Sequence, residues 1–170
     1  MGEVGILKPT DRVELIRGEI VTMSPIGPRH YAFVNKLTKL LIVRLDDRAI
    51  VGVQGPIVLA DDTEPEPDIA VIRNRQEPYK ERGAFAEDAL LLIEVAETSL
   101  AYDRSTKLRL YAEAEIPEYW VVDCVGESVE IHRTPYGGGY RDHSRVTGGT
   151  ATVTPQAFPD VTLTLAEIFA

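Results

Sequence analysis

The sequence predicts an α/β domain: a mixed central β-sheet flanked by helices. Three observations carry this. Short apolar runs led by β-branched and leucine residues, at Asp68–Ile72, Leu90–Ala96 and Tyr119–Asp123, read as strands. Two longer stretches, 29–47 and 98–115, repeat their apolar residues at helical spacing. Turn signals frame both ends, with Arg17-Gly18 inside an N-terminal β-hairpin and Gly137-Gly138-Gly139 inside a C-terminal one.

In chain order, residues 12–23 alternate imperfectly about Arg17-Gly18 and form the first hairpin. Ser24-Pro25-Ile26-Gly27-Pro28 breaks the pattern, and Pro28 suits the first turn of a helix. From Arg29 to about Asp47 a long amphipathic helix follows, with Val34, Leu37 and Leu41 on one face and Phe33 and Leu40 beside them. Ile50–Val53 and Ile57–Ala60, separated by Gly55-Pro56, read as one strand with a kink or bulge. Asp61-Asp62-Thr63 is a turn, and the strand led by Asp68 comes next. Residues 74–88 are polar and irregular, mostly loop with a short helix. Leu90–Ala96 is continuously apolar, as in a central strand buried on both faces. Thr98 or Ser99 caps a second helix that Ile116-Pro117 ends near Glu115. Tyr119–Asp123 is a buried strand, Val129–Arg133 and Tyr140–Val146 form the second hairpin, and a short strand near Val161–Leu163 precedes a closing turn, Leu165–Phe169.

The chain has 170 residues, 44% of them apolar and 26% charged, which suits one domain with one core, spanning 1–170. No apolar run approaches the ~20 residues of a membrane helix. The first residues lack a basic region followed by an apolar one, so no signal peptide is expected. Cys124 is the single cysteine, which excludes an intrachain disulfide and a cysteine-based zinc site. A cytoplasmic protein with no membrane partner is the expectation. The net charge of −9 runs against a sequence-independent nucleic-acid binder, unless a local basic patch or metal ions offset the acidic residues.

Two carboxylates stand where strands should be apolar. Asp68 opens its run after Pro67, and Glu94 sits between Ile93 and Val95. Buried charges of this kind are costly unless paired, hydrogen-bonded or bound to a metal. At about 100° per residue, Leu100, Asp103, Lys107, Leu110, Tyr111 and Ala114 share one face of the second helix, opposite Ser105, Arg109 and Glu113. Lys107 therefore faces inward. It either pairs with Asp103 or snorkels out, or it points to where Asp68 and Glu94 meet. In the latter case two carboxylates offer hard oxygen ligands for Mg²⁺ or Mn²⁺, and the lysine positions a water or stabilises charge on a phosphate.

Pro67-Asp68, the following strand with Glu94 and a nearby lysine resemble the PD-(D/E)xK nuclease superfamily. Closer still, Glu14–Ile20, Met23-Ser24-Pro25 with His30, Glu94-Val95, Ser99–Arg104 with Lys107, and Tyr119–Asp123 resemble a bacterial family of putative restriction endonucleases. The resemblance runs from about Asp11 to Phe169. The superfamily's lysine two residues after the acid is Ala96 here, and Lys107 is the residue that matches it. The resemblance implies a restriction-endonuclease-like fold, Asp68 and Glu94 as ligands of Mg²⁺ or Mn²⁺, and Lys107 as catalytic base or charge stabiliser. It also adds Glu19 and His30 to the site.

Bland roles stand beside these. Glu19 near a turn is equally a solvated carboxylate. His30 is equally a core or capping histidine, although its inward phase and the near-neutral pKa of histidine as a residue type suit proton transfer. Asp103 is a candidate partner that orients Lys107, and Tyr111 lines the site or packs in the core. Asp123 ends its strand. His132 and His143 lie in the C-terminal hairpin, away from the motifs, as structural or exposed residues, and the three histidines lack zinc spacing. The expected activity is hydrolysis of DNA phosphodiester bonds by a metal-activated water, with Arg29, Lys36 and Lys39 touching phosphates. The rival is a nuclease-fold binding or dimerisation module without turnover. A homodimer fits either, since cutting two strands uses two copies.

Overall fold

Strand alternation decides which side chains reach the site, so the elements are best taken with their faces. The computed structural model describes residues 12–23, 25–75, 79 and 82–170. The readings made for residues 1–11, for Ser24, and for 76–78 and 80–81 lie outside the described residues.

A hairpin of β1 (Val13–Ile16) and β2 (Glu19–Thr22) opens the chain. Arg17 and Gly18 both take positive φ, 52° and 79°, as its two-residue turn requires. Helix α1 (Pro28–Leu45) follows, then β3 (Ala49–Val53), β4 (Ile57–Val58), β5 (Ile69–Arg73), β6 (Ala84–Phe85) and β7 (Ala89–Ala96). Helix α2 (residues 100–113) starts as α-helix, widens to a π-helix over Asp103–Lys107 and returns to α-helix. Then come β8 (Glu118–Asp123), β9 (Ser128–Tyr136), β10 (Gly139–Thr147), β11 (Thr152–Val153), β12 (Leu163–Thr164) and α3 (Leu165–Phe169).

Six of these strands form a mixed sheet in the order β10-β9-β8-β7-β5-β3. Only β7 and β8 run parallel, with α2 as the crossover between them. Every other neighbouring pair is antiparallel. This is the expected mixed sheet flanked by helices and framed by two hairpins.

The two faces of the sheet bury two cores. On one, Val34, Leu37, Leu41 and Leu45 of α1 pack against Ile69, Val71, Leu91, Ile93, Trp120 and Val122. On the other, Ala70, Ile72, Leu92, Ala96, Tyr119 and Val121 meet Tyr111 from α2 and Ile116 just after it. Odd-numbered residues of β5, and of β7 from Leu91 on, thus face α1, and even-numbered ones face α2; a bulge opposite Val71–Ile72 reverses the order at Ala89 and Leu90.

Three expectations need correction. The strand after Val53 does not continue: Gln54 turns at φ 48°, and β4 leaves the main sheet to pair in parallel with β6. The short C-terminal strand is β12, at Leu163–Thr164, and its partner β11 was not foreseen because two residues carry too little periodicity. Among its described residues, the stretch 74–88 contains β6 and a 3₁₀ turn at Ala86–Asp88.

Among the described residues no helix is long and apolar enough to cross a membrane. Cys124 is buried, and burial pushes its thiol up to about 12. It should resist alkylation by iodoacetamide at pH 8 in the native protein and react once unfolded; mass spectrometry reads the difference. Leu41 is fully buried under the sheet, whereas neighbouring Ile42 is exposed. Leu41→Ala should cost about 2–5 kcal/mol in urea unfolding, and Ile42→Ala no more than about 0.5 kcal/mol.

Candidate functional site

The register of β5 on β7 brings the two carboxylates together. Ile69 pairs with Ile93 and Ala70 with Leu92, so one step further Asp68 meets Glu94. Both are even-numbered and turn to the α2 side. The Asp68 backbone N–H reaches toward Glu94 Oε2 at 3.4 Å. The Val95 N–H donates to Asp68 Oδ2 at 2.9 Å.

Lys107 comes down from the π-helical turn of α2. It is only 3% exposed, and its ammonium donates to Glu94 Oε1 at 3.0 Å and to Glu14 Oε1 on β1. Glu14 Oε1 also accepts the Glu66 N–H at 2.7 Å. Tyr111, one turn after Lys107, donates its hydroxyl to Glu94 Oε1 at 2.7 Å. A widened turn of this kind often marks a functional segment. Asp103 lines the same space, but its carboxylate accepts from Ser99 Oγ at 2.6 Å, while Lys107 gives its bonds to Glu14 and Glu94.

Helix α1 contributes His30 from its first turn. Pro28 opens the helix, Gly27 offers no side-chain cap, and Glu97 Oε2 instead accepts the His30 N–H at 3.3 Å. His30 Nε2 lies 2.9 Å from Asp68 Oδ2, and its Nδ1 is buried without a hydrogen-bond partner.

These side chains line a cavity of about 550 Å³ at the carboxyl end of β7. Its walls include the acids Glu14, Asp68, Glu94, Glu97 and Asp103 against Arg12, Lys107 and His30. Burial pushes the Glu94 carboxyl up to about 8, against the pull of Lys107. Burial also raises Asp103 to about 6. For Lys107, burial favours the neutral amine, but Glu94 and Glu14 outweigh it and hold the ammonium above its ordinary range.

Other buried carboxylates show the contrast. Asp88 is held by Arg75 and Arg82. Glu118 is held by Arg133, Trp120 Nε1 and the Gln156 N–H. They are satisfied by arginines and by indole or amide donors. In the cavity, Glu94 Oε2 and Asp68 Oδ1 have long contacts of 3.4 Å with the Asp68 N–H and the Gln54 amide among the described residues, and acids outnumber cations on the walls. Two such oxygens suit a hard divalent cation.

The cavity brings together Asp68, Glu94, Lys107, His30, Asp103 and, through its hydroxyl, Tyr111. It does not include Glu19, which is exposed at the turn end of β2 opposite Ile16. Glu14, two residues earlier on β1 than Ile16, takes the position on Lys107. Nothing in the local sequence separated the two acids, since both lie in the same hairpin motif. Arg29 and Lys39 are exposed on α1, and the Lys36 ammonium contacts the Ala170 carbonyl. Asp123 closes β8 by accepting the Val125 and Gly126 N–H groups at 3.1 and 2.7 Å.

A mixed sheet with this cavity defines a restriction-endonuclease-like protein. The family model "Uma2: Putative restriction endonuclease" matches residues 4–166, and the chain belongs to that family. Among solved structures it is similar to a putative nuclease belonging to DUF820 from Anabaena variabilis ATCC 29413. That chain superposes with a TM-score of 0.78 over 98% of this chain and 94% of the other, at 17% identity, a likeness of fold. No curated protein matches the chain.

Replacing Glu14 by Gln leaves Lys107 with one carboxylate. Glu14→Gln should destabilise by about 1–3 kcal/mol in chemical unfolding, and should lose that effect in a Lys107→Met background. Glu19→Gln should stay within about 0.5 kcal/mol.

Proposed function

We propose that the protein is a metal-dependent endonuclease that hydrolyses DNA phosphodiester bonds, acting as one domain over residues 1–170. The observation that carries this reading is the convergence of Asp68, Glu94 and Lys107 in one cavity with an excess of carboxylates. Asp68 and Glu94 would hold Mg²⁺ or Mn²⁺ through Oδ1 and Oε2. When bound, the ion supplies an acidified water and neutralises charge on the phosphate. The fit rests on the oxygen-only donor pair and the poorly partnered oxygens described above.

The chain's own groups do the rest. Glu14 and Glu94 keep Lys107 protonated, so it acts as a fixed positive charge beside the phosphate and not as the base. Tyr111 and Lys107 both occupy Glu94 Oε1, which leaves Oε2 directed at Asp68. The Val95 N–H orients Asp68 in the same way. His30 supports Asp68 Oδ2 through its Nε2. The exposed Arg29 and Lys39 are candidate phosphate contacts, which a chain of net charge −9 needs to place locally. Two copies would cut two strands.

The test is cleavage of supercoiled, linear and single-stranded DNA with Mg²⁺ or Mn²⁺. Wild-type protein should cut at least one form, with Asp68→Ala, Glu94→Ala and Lys107→Ala each lowering the rate by about 10²-fold or more. Calorimetric Mn²⁺ binding should weaken in the first two variants. Wild-type protein that leaves every form intact would sink the reading in favour of a binding or dimerisation module.

A further inference from the structure

The outer strands carry a second group of ligating side chains that the cavity does not use. Glu130 and His132 are two residues apart on β9 and face the same way. His143 on β10 lies directly across from His132, eleven residues along the same hairpin. Their imidazoles stack with centroids 4.7 Å apart and planes inclined by 25°. On its other side His132 stacks on Tyr119 of β8 at 5.8 Å. One ligand atom each from Glu130, His132 and His143 lie within 4.8 Å of one another.

An independent observation points to a missing ligand. His132 is 6% exposed, yet its Nε2 is buried with no hydrogen-bond partner. The nearest carboxylate oxygen, Glu130 Oε2, is 3.9 Å away, too far for a hydrogen bond. A buried imidazole nitrogen left in that state is costly, and a cation between it and Glu130 would relieve it.

We propose that Glu130, His132 and His143 form a binding site for a borderline divalent transition metal, Zn²⁺ or its neighbours Co²⁺ and Ni²⁺, separate from the carboxylate cavity. Two imidazoles and one carboxylate suit such ions and not Mg²⁺, which prefers an oxygen shell. Burial keeps His132 neutral by pushing it down to about 4, the form that ligates. His143 is exposed, which leaves a path for entry. Arg104 donates from Nε to Glu130 Oε2 at 3.1 Å and from its terminal nitrogen to Oε1, which orients the carboxylate; Oε2 has a second lone pair for the ion. Arg145, across from Glu130, turns its guanidinium to Ser128 and Asp123 and does not block the site.

The test is a Co²⁺ titration of tag-free, chelator-treated protein in excess Mg²⁺, read by visible absorption, with Zn²⁺ displacement to follow. Wild-type and Asp68→Asn proteins should each take up one Co²⁺ with the absorption of an imidazole-ligated ion, and Zn²⁺ should displace it. His143→Ala, a surface change whose fold circular dichroism checks, should lose this uptake by tenfold or more, as should Glu130→Gln. The same protein should gain thermal stability with Zn²⁺, and His143→Ala should not. Absence of the absorption in wild-type protein, its persistence in His143→Ala, or its loss in Asp68→Asn instead would each overturn the proposal. None of these outcomes depends on DNA cleavage, so the endonuclease reading fails or stands separately.

Discussion

The buried ammonium of Lys107 depends on two carboxylates from distant parts of the chain, and much of the site is arranged by that need. Glu94 comes from the central strand β7 and Glu14 from the N-terminal hairpin. A lysine this deeply buried is tolerable only with anionic partners in good geometry. The hairpin is a separate two-stranded sheet, joined to the chain after β4 by the Leu15–Glu64 bridge and the Gly18 N–H to Asp62 carbonyl bond. The ion pair with Lys107 ties it to α2 as well. Folding the hairpin over α2 closes one wall of the cavity, so the same interaction that satisfies the lysine also shapes the site.

The electrostatic balance of the cavity differs from that of the rest of the interior. Elsewhere buried acids are neutralised by arginine, as at Asp88 and Glu118. In the cavity one lysine is shared between two acids, and Glu94 is pushed toward its neutral form by burial. Such a site gains when a divalent cation enters and restores both carboxylates.

One sheet face carries both groups of residues proposed to hold metal. Tyr119 lies between them, in edge contact with Tyr111 at 5.0 Å on one side and stacked on His132 on the other. Tyr111 in turn holds Glu94. The ligand sets differ in softness, oxygen in the cavity and imidazole on the outer strands, so the two would select different ions.

The sequence by itself determined which residues point inward, because those are local properties. A carboxylate in each of two apolar runs marked Asp68 and Glu94, and the helical period placed Lys107 and Tyr111 opposite Ser105 and Arg109. Both survived into the structure, even through a π-helical turn that shifts the helical phase. The tertiary structure alone decided who meets whom. Glu14 reaches Lys107 across 93 residues while Glu19, in the same hairpin, stays in solvent. His132 and His143 lack any ligand spacing in the chain and become neighbours only through the β9–β10 register. Likewise β4 leaves the main sheet for β6, a choice made by long-range pairing. Period and phase are written in a few consecutive residues; register and docking depend on contacts whose partners are far away in the chain.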